Sequence, residues 1–148
     1  VSRSATNGFF MMVEGGAIDK YAHRNLTTNV ITEVVEFDKT ISDVVAFLKE
    51  NGLQDQTLMV VTADHETGGL VFVDNASASD GAKKSEPVDA GAIFMPEASQ
   101  TNRLSISWTT KKHTYAWIPL FAAGPESQRF AGRHDNTEVA GIITAIMQ

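Results

Sequence analysis

Asp19 and His23 stand four residues apart, Asp64 and His65 are adjacent, His113 follows Lys112, and Glu14 lies shortly before the first pair. On a helical turn, positions i and i+4 share a face, so Asp19 and His23 can offer one carboxylate oxygen and one imidazole to the same ion. The chain has no cysteine, which excludes disulfides and thiolate ligation and leaves His and carboxylate as the metal donors. Such donors suit zinc, and oxygen-rich positions suit magnesium. Two zinc ions about 4 Å apart can clamp the attacking and leaving oxygens of a displacement at phosphorus. Each group also has a plainer reading. Asp19 and His23 alone are a solvated acid and a surface imidazole, Asp64-His65 is a helix N-cap beside a hydrogen-bonded histidine, and Glu14 is a strand-end acid facing water. His113 alone is uninformative, and His134 is read as support for the final turn. Three of the four histidines nevertheless fall beside predicted strand ends, and that joint pattern favours a metal site capable of phosphoryl chemistry.

The elements that must position these groups follow from periodicity. Phe9 to Val13 is an apolar run that reads as a buried strand, ending in Glu14-Gly15-Gly16, with a short helical turn over about 18–24. Leu26, Val30, Ile31, Val34, Val35, Ile41, Val44, Val45 and Leu48 recur at helical steps, predicting a long helix capped by Asn25 or Thr27 and stopped at Asn51-Gly52. Thr57 to Ala63 is the next buried strand. Strand, helix, strand is a βαβ unit, so the two strands are expected to be parallel and to end on one edge, where open α/β sheets bind ligands. Glu14, Asp19 and His23 would then lie beside Asp64 and His65. Residues 70–73 and 103–108 read as short strands that pair with each other. Between them lies an Ala/Ser/Asp/Gly/Lys-rich stretch expected to be an exposed, flexible insertion at about 74–102. Trp117 to Ala123 is a third apolar strand, and Pro119 places it at an edge or marks an entry point rather than a central strand. Asp135 and Glu138 have capping-box spacing before a last helix with the stripe Val139, Ile142, Ile143, Ile146.

Composition narrows the function classes. The 148 residues suffice for one domain, and 43% hydrophobic content is ordinary for a globular one. A net charge of −6 without a basic block argues against a general nucleic-acid binder. No apolar run approaches the roughly 20 residues of a membrane span. The opening Val1-Ser2-Arg3-Ser4 lacks an initiator Met, from which a processed or excised fragment is expected, and a missing signal peptide therefore says nothing about export.

The motifs together resemble the alkaline phosphatase family. Val13-Glu14-Gly15-Gly16-Ala17-Ile18-Asp19-Lys20-Tyr21-Ala22-His23 is similar to that family's V-E-G-x-x-I-D-x-x-x-H stretch, and Thr62 to Gly69 to its T-A-D-H-E-T-G-G segment. Lys112-His113-Thr114 with Ile118 to Pro125 is similar to its H-T and A-x-G-P segments, and Asp135-Asn136-Thr137-Glu138 to its D-N-T-E. The resemblance implies a three-layer αβα sandwich with a mostly parallel sheet, of which residues 1–148 would be the C-terminal part of the catalytic domain. It implies a zinc- and magnesium-dependent phosphomonoester hydrolase acting through a phosphoserine. Asp19, His23 and His113 would hold the first zinc, Asp64 and His65 the second, and Glu14 would serve magnesium. A homodimer and a periplasmic or secreted location are implied as well.

The departures matter equally. The family's nucleophilic serine lies in an Asp-Ser-Ala context, and no such triplet occurs here, since Ser4-Ala5 follows Arg3. The early strand aspartate and a phosphate-clamping arginine are likewise unassigned. The expectation is a chain that binds zinc at one site, is inert alone, and pairs through exposed edges with itself or with a missing N-terminal half. A related phosphodiesterase or phosphomutase, and a non-catalytic metal-binding α/β module, are the competing readings.

Overall fold

The computed structural model describes residues 8–74 and 104–147. Most of the expected insertion at about 74–102 therefore lies outside the described residues. Two helices come first. α1 (Ala17–Ala22) is a short turn that ends on His23, and α2 (Thr27–Glu50) runs 24 residues, about 36 Å at 1.5 Å per residue. The apolar stripe of α2 is real: Val30, Ile31, Ile41, Val44, Val45 and Leu48 are half-buried, while Val34, Val35 and Phe47 remain exposed. Its start differs from the expected caps. Leu26 is the N-cap without a side-chain bond, because the Thr27 hydroxyl instead accepts from Trp108 Nε1 at 2.9 Å and Asn25 is in the left-handed region. Its end is as expected, on Asn51 followed by Gly52 at φ +63°, a conformation glycine adopts without strain.

Six short strands follow: β1 (Met59–Val61), β2 (Glu66–Thr67), β3 (Leu70–Asp74), β4 (Leu104–Trp108), β5 (His113–Thr114) and β6 (Phe121–Ala123). They form three two-stranded antiparallel pairs, β1 with β6, β2 with β5 and β3 with β4. The expected pairing of residues 70–73 with 103–108 is thus formed, with Leu70 opposite Trp108. The expected parallel pairing of residues 9–14 with 57–63 is not. Phe9 to Val13 is extended without a ladder partner among the described residues, and its five side chains are 55–78% exposed. A strand exists only where a neighbour takes up its N–H and C=O groups, so an apolar sequence alone does not make one. The third apolar run likewise shortens to β6. Pro119 has no N–H to give a ladder, and its carbonyl instead accepts from the Thr62 hydroxyl at 3.2 Å.

A 3-10 turn (Ser127–Phe130) and α3 (Asn136–Ile146) complete the order. The capping box of α3 is formed as expected: Asp135 accepts from the Thr137 N–H, and the Asp135 N–H donates to Glu138 at 2.8 Å. Among the described residues Ala22, Thr67, Gly68 and Phe130 are the buried ones. Ala22, Thr67 and Gly68 flank the histidine cluster, so most of this small core lies under the site. No helix among the described residues is long and apolar enough to cross a membrane.

Candidate metal centre

Three segments far apart in sequence deliver the cluster. Asp19 lies in α1 and His23 caps it, Asp64 and His65 occupy the loop from β1 to β2, and His113 opens β5. Local hydrogen bonds bring them together. The Gly68 N–H donates to the Lys112 carbonyl at 3.0 Å, and the Thr109 and Thr110 N–H groups donate to the Gly68 carbonyl. This double link locks β2 to β5 in the register that sets Thr67 opposite His113. Gly68 has φ +96°, and a Cβ there would collide with the Trp108 ring and approach the Ala22 carbonyl at 3.2 Å. Only glycine lets the strand pass so close to α1. Glu66 completes the clasp, accepting from the N–H groups of Gly69 and Leu70 and from the Thr114 hydroxyl.

The distances at the centre are short. His23 Nε2 lies 3.0 Å from His113 Nε2 and 3.5 Å from Asp19 Oδ1, and His113 Nε2 lies 3.7 Å from the same oxygen. Three ligands bonded to zinc at about 2.0–2.1 Å in a tetrahedron sit roughly 3.3 Å from one another. The observed separations bracket that edge, so these three residues fit a zinc ion. A second triple, Asp19, His65 and His113, also gathers its ligand atoms within 4.8 Å, with the His65 and His113 rings stacked at 3.5 Å.

Tautomers follow from the partners. His23 Nδ1 is 2.7 Å from the Lys111 carbonyl, which can only accept, so Nδ1 carries the proton and Nε2 keeps its lone pair for the cluster. Asp64 Oδ2 stands 3.1 Å from His65 Nε2, again a spacing suited to two ligands of one ion. Asp64 is 87% exposed at its side chain. Asp64, His65, His113 and Tyr115 line an open depression of about 470 Å³. Glu14 is exposed on the segment before α1 and stands outside the cluster. His134 donates from Nε2 to the Ala131 carbonyl at 3.1 Å, the local support expected of it.

Two contributors escaped the sequence. The Lys111 carbonyl leaves no trace in residue type. Thr67 had a faint signal, since in an extended segment it shares a face with His65 two positions earlier.

A helix, a loop and a short strand that bring Asp19, His23, His65 and His113 together define a candidate metal centre. The family model described as alkaline phosphatase matches residues 2–90, and the chain belongs to the alkaline phosphatase family. Alkaline phosphatase 3 of Bacillus subtilis is 27% identical over 96% of the chain and 40% of its own length. Streptomycin-6-phosphate phosphatase of Streptomyces griseus is 29% identical over 95% of the chain and 29% of its own length. The alkaline phosphatase of the Antarctic bacterium TAB5 superposes with a TM-score of 0.69 at 29% identity, covering 97% of this chain and 36% of that one. A variant of the TAB5 enzyme solved with Mg bound in its M3 site gives a TM-score of 0.70 at 30% identity. The chain thus superposes on part of the α/β fold of these phosphatases and spans about two fifths of their length or less; the expected three-layer sandwich with a mostly parallel sheet is not formed among the described residues, whose strands make antiparallel pairs.

Proposed function

We propose that the chain is the zinc-binding C-terminal portion of an alkaline phosphatase that hydrolyses phosphate monoesters. The observation that carries this reading is the Asp19–His23–His113 triple, whose donor atoms stand 3.0–3.7 Å apart in a chain whose relatives are named phosphatases. Asp19 supplies the negative oxygen of the first zinc site, and His23 and His113 supply neutral nitrogens. Three protein ligands leave one tetrahedral position open, as catalytic zinc requires. Asp64 and His65 offer two ligands to a second zinc, and Glu14 offers one carboxylate to magnesium. When bound, the metals polarise the phosphoryl oxygen and make water acidic enough to attack at neutral pH. The nucleophilic serine of the reaction belongs to an Asp-Ser-Ala segment that these 148 residues do not contain. The same reading supports a periplasmic or secreted homodimer.

The test is hydrolysis of p-nitrophenyl phosphate by the chain alone and mixed with a polypeptide carrying the family's Asp-Ser-Ala half. Zinc-dependent activity in the mixture only is expected. The missing triplet also favours a second reading, a non-catalytic metal-binding module. Zinc uptake without activity in any mixture would select it.

A further inference from the structure

Thr67 is the one buried polar residue among those described, 9% exposed, and its hydroxyl lies between two of the candidate ligands. It donates to Asp19 Oδ1 at 2.6 Å and stands 3.2 Å from His65 Nδ1. A threonine hydroxyl has one proton, and an ionised carboxylate only accepts. The proton therefore goes to Asp19, and the contact with His65 closes only if Nδ1 carries its own hydrogen and donates to Thr67. A proton on Nδ1 leaves Nε2, 3.1 Å from Asp64 Oδ2, as the one ring nitrogen able to bind a metal.

We infer that Thr67 is a positioning residue that sets Asp19 and His65 together for metal binding; this rests on the reading of both as ligands. The hydroxyl orients Oδ1, the oxygen that lies 3.5 and 3.7 Å from the two imidazoles of the first site, and it fixes the His65 tautomer of the second. Thr67 is also the register partner of His113 in the β2–β5 pair. One β-branched side chain, stiff about χ1, thereby ties ligands of both sites to one point. A buried hydroxyl with a merely structural role predicts otherwise. Replacing it by an isosteric methyl would then leave metal affinity untouched.

The test compares Thr67→Val, Thr67→Ala and Thr67→Ser with the unaltered chain, reading zinc affinity by chelator competition and the His65 tautomer by long-range 15N NMR without metal. Removing an outer-shell partner costs about 10–100-fold in metal affinity. That loss is expected for Thr67→Val and Thr67→Ala, with Thr67→Ser restoring most of it. Without metal, His65 should carry a proton on Nδ1 in the unaltered chain and in Thr67→Ser, and should lose that preference in the other two. Equal zinc affinity in all four chains overturns the inference, as does a His65 without a proton on Nδ1 in the unaltered chain, a measurement that needs no variant to fold. Absence of zinc binding by the unaltered chain would instead defeat the metal reading, and the tautomer result would still decide the role of Thr67.

Discussion

Replacing Gly68 by alanine tests the geometry that holds His113 against α1. Gly68 has φ +96°, and a Cβ there runs into the Trp108 ring, with the Ala22 carbonyl 3.2 Å away. Holding a non-glycine residue in that backbone region costs about 1–3 kcal/mol. Overpacking against a ring pinned by its bond to Thr27 adds about 1–3 kcal/mol. The sum is about 2–6 kcal/mol, a large share of the roughly 5–15 kcal/mol that stabilises a typical domain. Urea unfolding followed by tryptophan fluorescence reads it directly, because the ring that must move is one of only two tryptophans. Gly52→Ala is the control. Gly52 also has a positive φ, +63°, but nothing lies within 4 Å of its would-be Cβ, so only the smaller backbone cost of about 1 kcal/mol applies. Equal unfolding midpoints for the two variants would refute the claim that close approach to Trp108, rather than backbone conformation alone, requires glycine at position 68.

Two further outcomes follow from side chains around the site. Glu66→Ala removes the acceptor of two backbone N–H groups and the Thr114 hydroxyl. Hydrogen bonds to a charged group contribute about 1.5–3 kcal/mol each before screening, so a loss of about 2–3 kcal/mol is expected in urea unfolding; an unchanged midpoint would show the clasp to be idle. The Asp135 carboxyl is held below its ordinary value by the Thr137 hydroxyl and then by the Thr137 N–H. The folded state therefore binds fewer protons than the unfolded one at acid pH. The contribution is fully present above the ordinary carboxylate value of 3.8 and is lost as pH falls through the lower folded one. Far-UV circular dichroism during acid titration should show α3 weakening in that window, with the effect absent from Asp135→Ala.

What could be read from the sequence depended on whether the signal was local. The α2 stripe from Val30 to Leu48, the stop at Asn51-Gly52 and the Asp135–Glu138 capping box are set by neighbours a few residues away, and all three are present. The grouping of Asp19, His23 and His113 was implied by the family resemblance, and their donor atoms stand close together. Strand pairing was legible for residues 70–73 with 103–108, which do pair, but not for the other strands, because pairing depends on which segments meet. Phe9 to Val13 has strand composition but no ladder among the described residues, and Met59–Val61 pairs antiparallel with Phe121–Ala123 instead. The Asn25 and Thr27 caps failed for a similar reason, since a distant residue, Trp108, claims the Thr27 hydroxyl. Thr67 and the Lys111 carbonyl act through distances that no spacing in the sequence reveals.

The central claim is that Asp19, His23 and His113 hold one zinc ion. Metal content after equilibration with zinc and gel filtration tests it most directly, comparing the unaltered chain with the combined Asp19→Asn, His23→Gln, His113→Gln variant and with His134→Gln. Retained zinc is expected in the unaltered chain and in His134→Gln, and loss of the tightest site in the combined variant. Zinc content unchanged by the three substitutions would contradict it.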